Sequence, residues 1–226
     1  METRQEIARS KGKNPNDPGV CCPSFCGAMI KLGFAYREQF AQKDLTPTQM
    51  KNPYADADNV FLTGLLRTMR GSCVSMPLVY LVIGQRLGLP VHLVHIGKHF
   101  FVRWQEPSYR IDIETTAVDH VWVTDDDSVY VEEEGMKPDD VKGNDLRNLS
   151  NQEVIACLLF TRSCHLAMKV DRDPVGSWSD LSRAFSLSPA DPAIGRTYSA
   201  LKPQKPAVYV SHHQQPRTNQ LERNLP

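Results

Sequence analysis

Residues 70–90 read RGSCVSMPLVYLVIGQRLGLP. Gly71 and Ser72 offer a turn and a possible N-cap, and Pro77 is tolerated only near a helix start. Gly88 and Pro90 close the segment. Between these marks PLVYLVIGQRL is apolar nearly all the way round, the pattern of a helix buried on most sides. Cys73 stands where the turn meets the helix. A thiol there faces unpaired backbone N–H groups and the positive end of the helix dipole, which favour the thiolate. Read by itself, such a cysteine is more often a small core residue than a nucleophile, because free cysteine is among the most buried types.

Downstream come three short runs rich in β-branched and aromatic residues: VHLVHI, HFFVRW and YRIDIE. They are separated by Gly97-Lys98 and by residues 105–108. HVWVT and SVYVE, on either side of Asp125-Asp126-Asp127, read as a further strand pair with the acidic run as a solvated turn. The middle of the chain is therefore one helix followed by an antiparallel meander, an α+β arrangement in which a central buried helix packs on the sheet.

Upstream, residues 1–20 lack periodicity and read as a flexible lead-in. The apolar pattern of residues 23–42 predicts a helix broken near Gly33, residues 45–58 read as loop, and NVFLTGLLRTMR has helical spacing. After the core, placed at 21–148, a helical extension spans 149–201. Ser150 and Glu153 have the spacing of a capping box, and two shorter helices meet at SPADP. Residues 202–226, rich in Pro, Gln and Asn, read as a disordered tail.

Composition narrows the function classes. Lys plus Arg number 26 in 226 residues, as do Asp plus Glu, so no basic bias points to nucleic acid. No stretch has the length of a membrane span, and the first residues lack a signal-type apolar region, so cytoplasmic residence is the default expectation. Six cysteines in a chain of this length do not make a disulfide scaffold. CCPSFC (Cys21, Cys22, Cys26) lacks a second ligand pair, so it reads as a weak metal signal, as buried packing or as an oxidisable surface cluster. Cys157 and Cys164, seven apart on one helix, read as packing residues. His92 and His95 invite a zinc reading, but strand alternation sends residues three apart to opposite faces; no metal and no cofactor is expected.

A nucleophilic Cys73 needs a base, and the base needs an orienting group. If HFFVRW and YRIDIE form a hairpin across QEPS, Trp104 lies opposite Tyr109, His99 opposite Glu114 and Phe101 opposite Asp112. His99 and Asp112 are then diagonal neighbours on one face. Cys73, His99 and Asp112 make a candidate nucleophile, base and orienter.

This order resembles the transglutaminase-like arrangement, itself related to papain-like cysteine proteases. The stretch from Asn59 to Trp104, followed by IDIETT, is most similar to the bacterial SirB1-type transglutaminase-like domain. The matching residues are Asn59, Arg70, Gly71, Gly88, Leu89, Pro90, Gly97, His99, Phe100, Ile111 and Asp112. Residues 181–201 are similar to the tetratricopeptide-like segment that follows such domains. The resemblance implies a cysteine acyltransferase or amide hydrolase acting on a protein or peptide substrate. Cys73, His99 and Asp112 form its catalytic triad, and the Cys73 backbone N–H is one oxyanion donor; Asn59 is a weak candidate for the second. ETTAVD departs from the family's Pro-Phe-x-Gly-Gly type of sequence, and Glu114 leaves open whether Asp112 alone orients His99. Some members of the family lack the cysteine. The alternative reading is a non-catalytic module of the same fold that binds a protein partner through its C-terminal helices.

Overall fold

The computed structural model describes residues 17–36, 56–116, 122–169 and 171–202. The chain runs α1 (Pro18–Lys31), β1 (Ala35–Tyr36), α2 (Ala57–Val60), α3 (Leu62–Thr68), β2 (Arg70–Gly71) and α4 (Ser75–Arg86). Then come β3 (Val91–Ile96), β4 (His99–Glu106), β5 (Tyr109–Glu114), β6 (Trp122–Thr124) and α5 (Ser128–Glu133). A 3-10 turn, Pro138–Asp140, leads to α6 (Asn151–Met168), α7 (Pro174–Leu187) and α8 (Pro192–Leu201). The fold is α+β. Strands β3 to β6 form an antiparallel meander in sequence order, and β1 pairs with β2 in parallel.

The two faces of the meander carry different chemistry because side chains alternate. Val91, Leu93, Val102, Trp104 and Ile113 share the main core with Met76, Leu78, Val79, Tyr80 and Leu81 of α4. The other face carries His99, Phe101, Arg103, Asp112 and Glu114. There Phe101 stacks on Tyr130 of α5 at 3.9 Å, almost parallel. Helix α4 meets β3 where Gly84 lies: a Cβ at that position would stand 2.4 Å from Val91 Cγ2. Gly84→Ala is therefore expected to force helix and strand apart and cost about 1–3 kcal/mol, read as a lower urea midpoint at unchanged helical signal.

Three expectations are corrected. Helix α1 begins at Pro18, capped by Asp17, whose side chain accepts the Gly19 N–H, so residues 18–20 belong to the helix rather than to a lead-in. It stops at Lys31, where Gly33 at φ 87° turns the chain into β1; residues 37–42 lie outside the described residues. SVYVE is helix α5, not a strand. Asp126 accepts the Ser128 N–H and starts a turn, and one helical turn is enough to bury Tyr130 completely while Glu132 and Glu134 face solvent. Six residues with one buried aromatic satisfy either period, and tertiary packing decides. Finally, the β4–β5 loop is Pro107-Ser108, two residues rather than four: Glu106 pairs with Tyr109 and Arg103 with Asp112.

The predicted loop at 45–58 lies outside the described residues up to residue 55, and the tail from residue 203 lies outside them entirely. The capping box at α6 is formed, with Ser150 and Glu153 satisfying each other's backbone N–H. Helices α6 and α7 approach closely enough for the Ser163 and Ser177 hydroxyls to donate to each other's carbonyl oxygens. Among the described residues no helix is long and apolar enough to cross a membrane.

Candidate active site

Cys73 sits in the turn just before α4, half-buried, while Cys21, Cys22, Cys26 and Cys157 are buried. Two serines shape that turn. The Ser75 hydroxyl accepts the Ser72 N–H at 3.0 Å and the Ser72 hydroxyl accepts the Val74 N–H at 3.2 Å. Both hydroxyls then donate to the carbonyl oxygen of Asn59, at 2.7 and 2.9 Å. Asn59 is 5% exposed and anchors the turn through its backbone; its side-chain Oδ1 has no hydrogen-bond partner among the described residues. The turn has no room for a side chain at Gly71, where a Cβ would lie 2.8 Å from Ser75 Oγ.

His99 opens β4 directly after the tight turn Gly97-Lys98. Gly97 has φ 58°, as the first position of such a hairpin requires. The turn is tied from outside: the Gly97 N–H donates to Asp145 and the Lys98 N–H to Glu134, both at 3.3 Å. From this start His99 donates through Nε2 to Glu114 Oε2 at 2.6 Å. Glu114 is 3% exposed, and its other oxygen accepts both the N–H and the hydroxyl of Thr116, at 2.7 and 2.6 Å. Burial alone would lower the His99 pKa. Hydrogen bonding to Cys73 and Glu114, with the negative charge of each, outweighs that burial and pushes it up to about 10. With Nε2 engaged by Glu114, Nδ1 is the nitrogen left for the thiol.

The structure brings Cys73 and His99 together and puts Asp112 elsewhere. The true β4–β5 register differs from the expected one by two residues, which keeps every residue on its face but changes every partner. Glu114 becomes the diagonal neighbour of His99. Asp112, fully buried, lies opposite Arg103 and accepts from its Nε at 2.6 Å and its Nη2 at 3.0 Å. Arg110 reaches the same carboxylate at 3.3 Å, and Asp127 pairs with both arginines. Asp127, half-buried, thus joins a charge network built on the buried Asp112 and Arg103, while Asp125 and Asp126 are exposed as a solvated turn would have them.

The surroundings of two further groups escaped sequence reading. Tyr36 feels the charges of both Cys73 and Glu114, which add to burial in raising its pKa. His95, buried, lies between Asp145 at 3.4 Å and Asp191 at 3.3 Å, joining the sheet to the N-cap of α8. The signal that could have pointed to it is Asp191 directly before Pro192, the order of an N-cap and a first helical residue.

The other thiols differ in chemistry from Cys73. Cys21, Cys22 and Cys26 pack inside the main core, which removes the surface-cluster reading, and the Cys22 thiol is pushed up by its hydrogen bond to Cys26 and by burial. Cys164 is pushed up to about 11 by burial. His92 and His95 lie on opposite faces of β3. Among the described residues no group of three His, Cys, Asp or Glu side chains is placed to hold a metal ion.

The sequence profile of the transglutaminase-like superfamily matches residues 39–159, just over half of the chain. Among curated proteins and among solved structures nothing matches.

Proposed function

The chain belongs to the transglutaminase-like superfamily, and from that premise we propose that it is a cysteine-dependent acyltransferase or amide hydrolase working through Cys73, His99 and Glu114. The supporting observation is one imidazole shared by a thiol and a buried carboxylate, with 2.6 Å between His99 Nε2 and Glu114 Oε2. His99 takes the Cys73 proton, and the thiolate attacks the carbonyl carbon of a peptide or Gln side-chain amide. The tetrahedral intermediate then expels the amine as His99 returns the proton to its nitrogen, leaving a thioester on Cys73. Water or a second amine, deprotonated by His99, attacks the thioester and frees the thiol. Glu114 holds the ring orientation and offsets its positive charge, the part expected of Asp112 from sequence.

The oxyanion falls to the Cys73 backbone. Ser72 and Val74 spend their N–H groups on serine hydroxyls, whereas the Cys73 N–H has no acceptor among the described residues. It stands at the start of a 12-residue helix, where such donors are strongest. Asn59 holds this turn rather than the substrate. Arg70-Gly71, Leu89-Pro90 and Gly97 support a likeness to the SirB1-type branch, and on that reading α7 and α8 are a tetratricopeptide-like extension.

The test is alkylation by iodoacetamide as a function of pH, read residue by residue by mass spectrometry. Cys73 is expected to label below pH 7, ahead of the other five thiols, and Cys73→Ala to remove only that fast phase. A Cys73 that labels no faster than Cys164 ends the proposal. If the fast phase is present, loss of ammonia from a Gln-containing peptide and incorporation of a fluorescent amine separate hydrolysis from transamidation.

A further inference from the structure

Along β4, Phe101 stands between His99 and Arg103 on the face that carries the ionic groups, and the register that sets Val102 opposite Ile113 puts it opposite Glu114. Glu114 therefore has two diagonal neighbours on β4, His99 on one side and Arg103 on the other. A carboxylate offered both would take Arg103. A guanidinium keeps its charge at every working pH and binds through paired N–H donors, whereas an imidazole is cationic only when protonated. Yet among the described residues Glu114 bonds to His99 and Thr116. Arg103 bonds to Asp112, Asp127 and the Leu146 carbonyl oxygen. What stands between the two cations is aromatic. The centre of the Phe101 ring lies 6.5 Å from that of His99 and 5.8 Å from Arg103 Cζ, and Tyr130 covers it at 3.9 Å, almost parallel. Both rings are fully buried, and they cluster with Val94, which lies opposite Phe101 on β3.

We propose that the Phe101–Tyr130 stack is a wall that assigns Glu114 to His99 by keeping the Arg103 guanidinium away from it. Phe101 and Tyr130 are positioning residues: they act through Glu114. The proposal rests on the reading of Cys73, His99 and Glu114 as the reactive set. The wall divides one sheet face into two ionic compartments, His99 with Glu114 on one side and two arginines with Asp112 and Asp127 on the other. The charged and titratable groups around Glu114 are His99 and Arg103 from β4, Asp112 from β5, Tyr130 and Glu133 from α5, and Tyr36 from β1.

The experiment is the pH profile of Cys73 alkylation by iodoacetamide in the full chain, for Phe101→Ala in two backgrounds. One is the wild type; the other carries Arg103→Met with Asp112→Leu, which removes the competing cation together with its partner. In the wild-type background the lost ring opens Glu114 to Arg103, and His99 loses part of the charge that holds its proton. The midpoint of the low-pH phase is expected to move up by about one pH unit, with labelling about tenfold slower below it. In the second background Phe101→Ala is expected to add no shift. An unchanged midpoint in the wild-type background, or the same shift in both backgrounds, overturns the wall and leaves the Cys73–His99–Glu114 reading standing. A wild type with no low-pH phase overturns that reading and this one with it. Should Phe101→Ala fail to fold, the Arg103→Met, Asp112→Leu variant is read with the stack intact. It is expected to keep the wild-type midpoint, and a midpoint that moves overturns the proposal equally.

Discussion

Glu114→Gln is expected to cut the low-pH labelling of Cys73 by about 100-fold, the size of effect associated with losing an opposite charge beside the imidazolium. The reason is the balance on His99. Burial favours the neutral imidazole, and only the two anions beside it hold the pKa at about 10 rather than below the ordinary value near 6.5. Glutamine keeps the shape and a hydrogen-bond partner but removes one of the two charges. The imidazolium then deprotonates at lower pH, and near neutrality the thiol keeps its proton. The His99 ring resonances, followed by NMR, are expected to titrate well below pH 10 in the variant.

Stability follows the same linkage. A histidine whose folded pKa is raised stabilises the fold fully below its unfolded pKa, near 6.5, and loses that contribution as pH rises through about 10. The wild type's advantage over Glu114→Gln in urea is therefore expected to shrink between these two values. If Glu114→Gln labels like the wild type while Asp112→Asn alone loses the fast phase at unchanged stability, the orienting role returns to Asp112.

Asp112→Ala is expected to cost about 3–5 kcal/mol, which is a large share of the about 5–15 kcal/mol that holds a domain together. Arg103 is 4% exposed and its Nη1 donates to the Leu146 carbonyl oxygen at 2.9 Å, so it cannot swing out to water without releasing that loop. With Asp112 gone, a buried guanidinium is left with Asp127, itself shared with Arg110. Urea unfolding reads the loss directly. Replacing Arg103 and Asp112 together by Met and Leu is expected to recover much of it, because the cost of the single change is the unpaired charge rather than the missing contact. A loss below about 1 kcal/mol would mean that the network is solvated and contributes little.

How much of this was legible in the sequence varies by element. Helix α4 was readable because its start and stop are written in Gly71, Ser72, Gly88 and Pro90, residues whose backbone preferences act within one turn. The capping box at Ser150 and Glu153 was readable for the same reason. Strands β3, β4 and β5 were readable as strands from their side chains. Their pairing was not. QEPS accommodates either a two- or a four-residue turn, and a slip of two preserves the alternation, so no periodicity distinguishes the two registers. SVYVE failed for a related reason: one buried tyrosine in six residues has no period to read.

From its sequence alone this chain has a thiol at the mouth of a buried helix, a histidine at the start of a strand, and the face on which that histidine and two carboxylates lie. Those are local consequences of backbone preference and side-chain alternation. Which carboxylate serves His99 was decided only by the tertiary structure. Arg103, once buried, must be neutralised, and pairing it with Asp112 draws β5 two residues along β4 and brings Glu114 to the imidazole. The placement of Tyr36 beside Gly71 has the same origin: it depends on β1 meeting β2 across 34 intervening residues, a contact that no local preference specifies.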